Sequence, residues 1–229
     1  MSEATWAPVD DYVSAALGLH DGALDAAVRA GEEAGLPPIQ VSPPQGRLLH
    51  LLAKAIGARA ILEFGTLAGY STIWLARALA DGGRLITLES EPRNAEVARA
   101  NIARAGLGEV VDLRVGPALD VLPDLEAEDA GPFDFSFIDA DKVHSPDYFA
   151  WALDHSRPGA LIVADNVIRG GTLVETDGED PAAAAQRRLH EQIAADGRVT
   201  ATTIQTVGIK GHDGFTIALV EPSAQPSQG

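Results

Sequence analysis

The chain has 229 residues, of which 46% are hydrophobic, and its formal net charge at pH 7 is −16. The hydrophobic fraction suffices for one full core, whereas the acidic excess disfavours binding to nucleic acid or to an anionic membrane surface. The sequence contains no cysteine, which excludes disulfide bonds and thiolate chemistry. Residues 1–8 are polar and acidic, and no apolar stretch approaches the length of a membrane span. We therefore expect a cytoplasmic protein without membrane or nucleic-acid partners.

The N-terminal part of the chain carries helical patterns. Apolar residues at helical spacing predict two helices between residues 9 and 35, separated at Asp21 and Gly22. The run Gly-Leu-Pro-Pro at 35–38 ends this region, and Ser42 followed by two prolines predicts the start of a strongly apolar helix that continues to Ile56. We expect residues 1–57 to form a helical cap over an active site or an oligomer face.

From residue 58 onward, short apolar strands alternate with helical patterns. This alternation predicts an α/β fold with a largely parallel sheet, helices on both faces and ligands beyond the carboxyl ends of the strands. Two segments rich in β-branched residues predict a C-terminal hairpin. We expect a single domain with a core over 58–220 and a disordered tail over 221–229. The predicted strands span 60–64, 84–89, 110–115, 133–138, 160–164, 199–207 and 214–220.

A glycine turn follows the first of these strands. Gly65 and Gly69 bracket it, and Ser71 is the predicted N-cap of the next helix. Glycines let a ligand approach the backbone, and the amide groups of a helix N-terminus face that ligand. The spacing E-x-G-x-x-x-G differs from the dinucleotide pattern G-x-G-x-x-G, so a nucleotide-containing ligand other than a dinucleotide is favoured. Glu89 closes the second strand, where an acidic residue is placed to bind ribose hydroxyls.

Oxygen-bearing side chains follow the fourth and fifth strands. Asp139 comes directly after 133–138, and Asp165 and Asn166 come after 160–164. Because parallel strands end at the same edge of a sheet, these three side chains could give a hard divalent cation three oxygen ligands. The absence of His and Cys among them argues against zinc. The alternative is an ordinary turn after a strand, where Asp and Asn are common.

Four motifs in this order resemble the cation-dependent O-methyltransferases, a family that includes the caffeoyl-CoA and catechol enzymes and many bacterial relatives. The resemblance runs from about residue 41 to residue 220. It implies a Rossmann-like sheet of seven mostly parallel strands with a C-terminal antiparallel hairpin and extra N-terminal helices, and S-adenosylmethionine as methyl donor. The motifs are Glu63-Phe64-Gly65-Thr66 through Ser71, Gly116-Pro117-Ala118-Leu119, Phe137 through Lys142, and Asp165-Asn166-Val167.

The resemblance also implies roles for individual residues. Asp139, Asp165 and Asn166 would hold the metal, with Mg²⁺ as the expected ion and Mn²⁺ or Ca²⁺ as alternatives. Lys142 would act with Asp139 in catalysis, as the base or charge partner for the substrate hydroxyl, and Arg169 would suit a substrate carboxylate or be a surface arginine. The residues implied around the cofactor are Val41, Glu63, Gly65, Thr66, Gly69, Ser71, Glu89, Ala118, Asp139 and Asp141.

The protonation of a phenol explains why such a site would need a cation. A phenol with a pKa of about 10 is largely protonated at neutral pH, and a bound divalent cation lowers the pKa of an oxygen and fixes its direction. We therefore expect cation-dependent methylation of a hydroxyl on a small catechol-like or other vicinal-oxygen phenolic substrate. The apolar N-terminal helices and the family resemblance suggest a homodimer. The glycine-rich segment 170–180 is predicted to be a mobile lid before a helix capped by Asp180.

Two other function classes stay open at this point. An NAD(P)-dependent oxidoreductase usually carries a Tyr-x-x-x-Lys pair, but none of Tyr12, Tyr70 and Tyr148 has a lysine four residues later. A non-catalytic cofactor-binding protein would not need the full set of Asp139, Lys142, Asp165 and Asn166.

Overall fold

A computed structural model describes residues 3–175 and 180–222. These residues form eight α-helices and seven β-strands, together with short 3₁₀ helices at Glu3–Thr5 and Arg169–Val174. In chain order the elements are α1 (Trp6–Ala16), α2 (Gly22–Glu33), α3 (Pro43–Ala55), β1 (Ala60–Phe64), α4 (Tyr70–Ala76), β2 (Arg84–Glu89), α5 (Pro92–Arg104), β3 (Val111–Val115), α6 (Ala118–Ala127), β4 (Phe133–Ile138), α7 (Ser145–Asp154), β5 (Ser156–Asp165), α8 (Pro181–Ala195), β6 (Val199–Gly208) and β7 (Gly211–Val220).

The seven strands form one sheet in the order β3-β2-β1-β4-β5-β7-β6. Strands β1 to β5 pair in parallel, and β7 runs antiparallel to both of its neighbours. Six strands therefore share one direction, and the predicted mostly parallel sheet with a C-terminal antiparallel hairpin is confirmed. This topology brings the carboxyl ends of β1, β2, β4 and β5 to one edge of the sheet.

The core lies on both faces of the sheet, because side chains along a strand alternate between the faces. On β1, Leu62 and Phe64 belong to a cluster with residues of α6, α7 and α8, whereas Ile61 belongs to a second cluster with residues of α3 and α4. Coverage of both faces is what a sheet of parallel strands requires. The sheet is thereby a rigid platform for the residues that follow its strands.

The helices predicted in the N-terminal region are present as α1, α2 and α3. Asp21 caps α2 by accepting hydrogen bonds from the amides of Ala23 and Leu24 at 2.9 and 3.0 Å. Ser42 caps α3, with proline at its first helical positions. Helix α3 packs on α4 directly after the glycine turn, so the N-terminal helices lie against the nucleotide-type strand–turn–helix unit.

Three local predictions differ from the structure. The N-cap of α4 is Gly69, which adopts a left-handed conformation with φ of 84°, and Ser71 lies inside the helix. Strand β5 begins at Ser156 instead of residue 160, because it continues past Pro158 and Gly159 to pair with Phe133. The hairpin connection is shorter than the predicted 208–213, because Gly208 pairs with Gly211.

The division into a cap over 1–57, a core over 58–220 and a tail over 221–229 stays a prediction, and residues 1–2 and 223–229 lie outside the described residues. Part of the predicted lid, 176–179, also lies outside them. Asp180 does cap α8, as its side chain accepts from the amide of Ala182 at 2.9 Å. Over the ranges 3–175 and 180–222, no helix combines the length and apolarity needed to cross a membrane.

Candidate active site

A cavity of about 670 Å³ lies beyond the carboxyl ends of β1, β2 and β4. Two residues of the predicted cofactor set, Glu63 and Gly69, do not line this cavity. Lys142, Asn166 and Arg169 also line the cavity. The lining residues that belong to the predicted cofactor set are Val41, Gly65, Thr66, Ser71, Glu89, Ala118, Asp139 and Asp141.

Gly65 lets the ends of β1 and β4 approach each other closely. Its φ is 92°, a backbone conformation that residues other than glycine rarely adopt. A Cβ atom built on Gly65 would overlap the backbone carbonyl oxygen of Asp139. The glycine therefore sets the distance between the predicted cofactor turn and the first predicted metal ligand.

The carboxylate of Glu89 is buried and held by four donors at the end of β2. Its Oε2 accepts from the amides of Thr66 and Leu67 at 3.2 and 2.7 Å. Its Oε1 accepts from the amide of Glu91 at 3.0 Å and from Nδ2 of Asn94 at 3.2 Å. These contacts fix the carboxylate at the cavity wall, where a ligand hydroxyl that donates to Glu89 would share an oxygen with them.

Glu63 lies fully buried beneath the glycine turn. Its Oε2 accepts from the hydroxyls of Thr72 and Thr87 at 2.5 and 2.7 Å. Burial raises the pKa of Glu63 to about 7, although these hydroxyls and that of Ser71 favour the charged form, and the nearby Asp139 raises the pKa further. Its Oε1 is buried and has no hydrogen-bond partner among the described residues. Glu63 is therefore an acceptor under the cavity wall with capacity left.

Lys142 and Asp139 form an ion pair at the junction of the strand ends, with Nζ 2.7 Å from Oδ1. Asp165 is buried at the end of β5, and desolvation followed by the charge of Asp139 raises its pKa to about 7. Two carboxylates therefore lie near each other, and that of Asp165 is buried. Such an arrangement stabilises a bound cation.

Asn166 is the third residue of the predicted metal-ligand set. Its side-chain Nδ2 donates to Oδ2 of Asp213 at 3.1 Å, which turns the amide oxygen toward other partners. No cluster of three or more His, Cys, Asp or Glu side chains suited to a metal occurs in the part of the chain that the structure covers. The predicted set consists of two carboxylates and one amide. All of its donor atoms are therefore oxygens, which fits Mg²⁺, Mn²⁺ or Ca²⁺.

Sequence reasoning misses a hydrogen-bonded unit at the cavity. Asp141 accepts from the hydroxyl of Tyr148 at 2.5 Å through Oδ2 and from the amide of His144 at 3.2 Å through Oδ1. Burial would raise the pKa of Asp141, but these hydrogen bonds outweigh it and lower the pKa. Tyr148 also stacks on Phe64 with ring centroids 5.0 Å apart. These contacts of Tyr148 depend on which face of α7 lies against the sheet, and the local sequence pattern does not specify that face.

A second cavity of about 270 Å³ adjoins the first. The two share Ile39, Gln40, Val41 and Asn166 in their linings, and Asp165 lines only the second. Of the predicted residues, Asn166 therefore borders both cavities, whereas Asp139 and Lys142 line only the larger one. Arg169 lies on the side of the larger cavity, and its amide donates to Oδ1 of Asp213 at 2.8 Å.

Comparisons with known proteins identify the family of this chain. A family model described as O-methyltransferase matches residues 15–220. The catechol O-methyltransferase of Niastella koreensis is 52% identical over 221 residues, which cover 96% of this chain and 100% of that protein. The structure of an O-methyltransferase from Bacillus cereus in complex with SAH has a TM-score of 0.95 at 51% identity and covers 96% of this chain and 100% of that one.

A further solved structure is that of the O-methyltransferase TomG from Streptomyces achromogenes, involved in tomaymycin synthesis and solved in complex with SAM. Its TM-score is 0.93 at 51% identity, and the match covers 97% of this chain and 100% of that one. The match of the family model extends from α1 to the last residue of β7. This extent argues against the oxidoreductase alternative and confirms the resemblance found in the sequence motifs. The chain belongs to the O-methyltransferase family.

Proposed function

We propose that this protein transfers the methyl group of S-adenosylmethionine to a hydroxyl of a small catechol-like phenol, with the help of a divalent cation. The observation that carries the proposal is that Asn166 borders two adjoining cavities, with the ion pair of Asp139 and Lys142 in the lining of the larger one. One cavity has the glycine turn and the buried acid expected of a nucleoside-binding site. The other is smaller and holds Asp165, the third oxygen donor.

The larger cavity is the proposed site of the methyl donor. Glu89, fixed by four hydrogen bonds, would accept from the ribose hydroxyls. Glu63 lies beneath the wall of this cavity and does not line it, so its carboxyl group would support the turn through Thr72 and would not contact the donor. Support for this assignment also comes from the two similar structures, which were solved with SAM and with its demethylated product SAH.

The smaller cavity is the proposed site of the methyl acceptor. Asp139, Asp165 and Asn166 would hold the cation where this cavity adjoins the larger one and leave positions for two oxygens of the acceptor. When bound, the cation lowers the pKa of the attached hydroxyl and fixes the direction of its oxygen. A pair of vicinal hydroxyls can chelate one ion, and a similar protein of 52% identity is named a catechol O-methyltransferase.

Lys142 is the proposed base. Its ammonium donates to Oδ1 of Asp139, so the side chain is held beside the position of the reacting hydroxyl. In its amine form Nζ would accept the hydroxyl proton, and in its ammonium form it would donate to the phenolate oxygen. The carbonyl oxygen of Lys142 in turn accepts from Nε2 of the buried Gln186 at 3.3 Å, which anchors the loop that carries the base.

A methylation assay tests the proposed function. The full chain is incubated with labelled S-adenosylmethionine and a panel of catechols and phenols with a single hydroxyl, with added Mg²⁺ or with excess chelator. We expect transfer to vicinal diols only in the presence of the cation. Transfer to the single-hydroxyl phenols at the same rate, or undiminished transfer in chelator, would contradict the proposal.

We also propose that the protein is a homodimer. Support comes from large exposed apolar side chains in the N-terminal region: Tyr12 in α1 is 75% exposed, Leu17 directly after α1 66% and Leu51 in α3 54%. A contact between two copies of the chain would remove such side chains from water. Light scattering on the purified chain measures the mass in solution, and a monomeric mass at assay concentration would contradict the proposal.

A further inference from the structure

Lys210 occupies the turn of the β6–β7 hairpin and lines the smaller cavity. Its Nζ donates to the backbone oxygen of Pro38 at 2.6 Å. Asp10 of α1 fixes the same turn, because its Oδ2 accepts from the amide of Ile209 at 2.8 Å. The hairpin turn is therefore attached to two N-terminal segments, and the lysine reaches across the outer end of the cavity.

Among the residues that the structure describes, Lys210 is the only one with a cationic side chain in the lining of the smaller cavity. Its one hydrogen bond within residues 3–175 and 180–222 goes to a carbonyl, and it forms no ion pair there. Burial lowers the pKa of Lys210, whereas the carboxylates of Asp139 and Asp165 act in the opposite direction. The lysine is thus within the electrostatic reach of the proposed cation site without being paired to it.

The acidic groups of the cavity already have partners, or a proposed one. Asp213 accepts from the amides of Ile168, Arg169 and Gly214 and from Nδ2 of Asn166. Asp10 accepts from the hairpin backbone. Asp165 is assigned to the cation. None of these three carboxylates forms an ion pair among the described residues, so Lys210 is the charge in this lining that attracts an anion. It leaves two of its three ammonium hydrogens for a ligand.

The walls between the two ends of the cavity are largely apolar. Val41, Leu48 and Phe215 contribute to them, and a volume of about 270 Å³ suits a single-ring compound, since drug-sized ligands occupy roughly 300 Å³ or more. Asp165 is 6% exposed at the inner end, whereas Lys210 is exposed at the outer end. An aromatic ring that presents two hydroxyls to the inner end would direct its opposite substituent toward Lys210.

We propose that Lys210 determines specificity by pairing with a carboxylate on the far side of the acceptor ring, so that the preferred acceptors are catechol acids. The proposal rests on the proposed function of the smaller cavity as the acceptor site. A local cation is needed for such acceptors because the chain carries a net charge of −16, which opposes the approach of an anion. An ammonium–carboxylate hydrogen bond in a partly enclosed cavity is stronger than one between neutral groups.

The experiment compares two probes with identical hydroxyls, protocatechuate and its methyl ester, which lacks the charge. Wild type, Lys210→Met, Lys210→Arg and the control Lys54→Met are assayed for kcat/KM with S-adenosylmethionine and Mg²⁺. Lys54 is an exposed residue in the last turn of α3, so its replacement removes the same charge outside the cavity. Calorimetry with SAH and Mg²⁺ present measures the affinity for each probe independently of turnover.

We expect Lys210→Met to lower kcat/KM for the acid at least tenfold more than for the ester, a difference of about 1.4 kcal/mol. Lys210→Arg should restore most of the loss, and Lys54→Met should discriminate between the probes no more than wild type does. The affinity for the acid should fall in parallel. Equal losses on both probes, or equal affinity of wild type for both, would overturn the inference while the proposed function stands.

Failure of the proposed function has a different signature. In that case wild type methylates neither probe, and calorimetry decides the role of the lysine. Binding of the acid that is lost in Lys210→Met supports the pairing, and absence of that binding overturns it.

Discussion

Lys142 donates a hydrogen bond of 2.7 Å from Nζ to Oδ1 of Asp139, three residues earlier in the chain. The two side chains are 12% and 21% exposed, so the ion pair is largely shielded from solvent. The proposed base is therefore positioned by one of the proposed metal ligands. Binding of a cation to Asp139 would weaken this hydrogen bond and make Lys142 available to the acceptor hydroxyl.

Replacement of Lys142 by Met should lower kcat by about 10²- to 10⁴-fold, which is the usual contribution of a general base. The loss should be largest for the least acidic acceptors, because they depend most on a base. Binding of S-adenosylmethionine should persist, since that site is built from β1 and β2. Kinetics with a series of catechols of different pKa, together with calorimetry of the methyl donor, measure both effects. A variant Lys142→Arg that retains the full rate would argue against a base at this position, because arginine is always protonated.

Removal of a proposed metal ligand should abolish catalysis and leave the cofactor site intact. Asp165→Asn removes a charge and Asn166→Ala removes an oxygen ligand. Loss of outer-sphere partners alone weakens metal binding by about 10- to 100-fold, and loss of a direct ligand should weaken it more. Asp112→Asn, at an exposed residue of the edge strand β3, is the matched control. Titration with Mn²⁺ and binding of SAH are measured for each variant.

Removal of the cation with a chelator should also abolish turnover. The loss should be reversible, because added Mg²⁺ or Mn²⁺ can refill an all-oxygen site. Full activity in excess chelator, with metal content shown to be zero by elemental analysis, would contradict the metal-dependent mechanism. The chain would then be a metal-independent methyltransferase.

The sequence predicts those parts of the site that follow directly from strand ends. Glu89, Asp139 and Asp165 each close a strand with a clear apolar pattern, and parallel strands bring such residues to one edge. Lys210 cannot be found in this way, because its place at the smaller cavity depends on the register of the β6–β7 hairpin and on the position of Pro38. The sequence pattern suggested a connection over 208–213, whereas the ladder continues to Gly208 and Gly211.

The orientation of a helix on the sheet and the burial of a side chain are also hard to predict from the sequence. The contact of Tyr148 with Asp141 depends on how α7 lies on the sheet. Glu63 belongs to the predicted cofactor set, but its carboxylate lies beneath the cavity wall because Thr72 and Thr87 turn toward it. Both features require packing between elements that are distant in the chain, which a local pattern does not contain.

Glu63 should give the stability of the protein a characteristic pH dependence. Its pKa is raised from 4.5 to about 7 by burial in the folded state. Between these two values the folded state retains a proton that the unfolded state has lost, so the free energy of unfolding should fall as the pH rises through this window. Glu63→Gln should make the profile flatter between about pH 5 and pH 7. Urea unfolding of the protein without cofactor or metal measures the profile.

Glu126→Gln, at an exposed position of α6, provides the control for that profile. It should leave the slope of the free energy of unfolding against pH unchanged. If Glu63→Gln has the same slope as wild type, the buried carboxyl does not titrate in this window.

Gly65→Ala should destabilise the protein and disturb the site at the same time. The φ of 92° at Gly65 is strained for alanine, which costs on the order of 1–3 kcal/mol, and the added Cβ would overlap the carbonyl oxygen of Asp139. Because that oxygen belongs to the backbone of Asp139 itself, relief of the overlap must move this predicted metal ligand. Gly108→Ala is the matched control, since nothing lies within 4 Å of a Cβ at that position. We expect a lower urea midpoint with an unchanged slope and a weaker affinity for the cation in Gly65→Ala. Equal midpoints and equal cation affinity in the two variants would show that the ends of β1 and β4 can move apart at Gly65 without loss of stability.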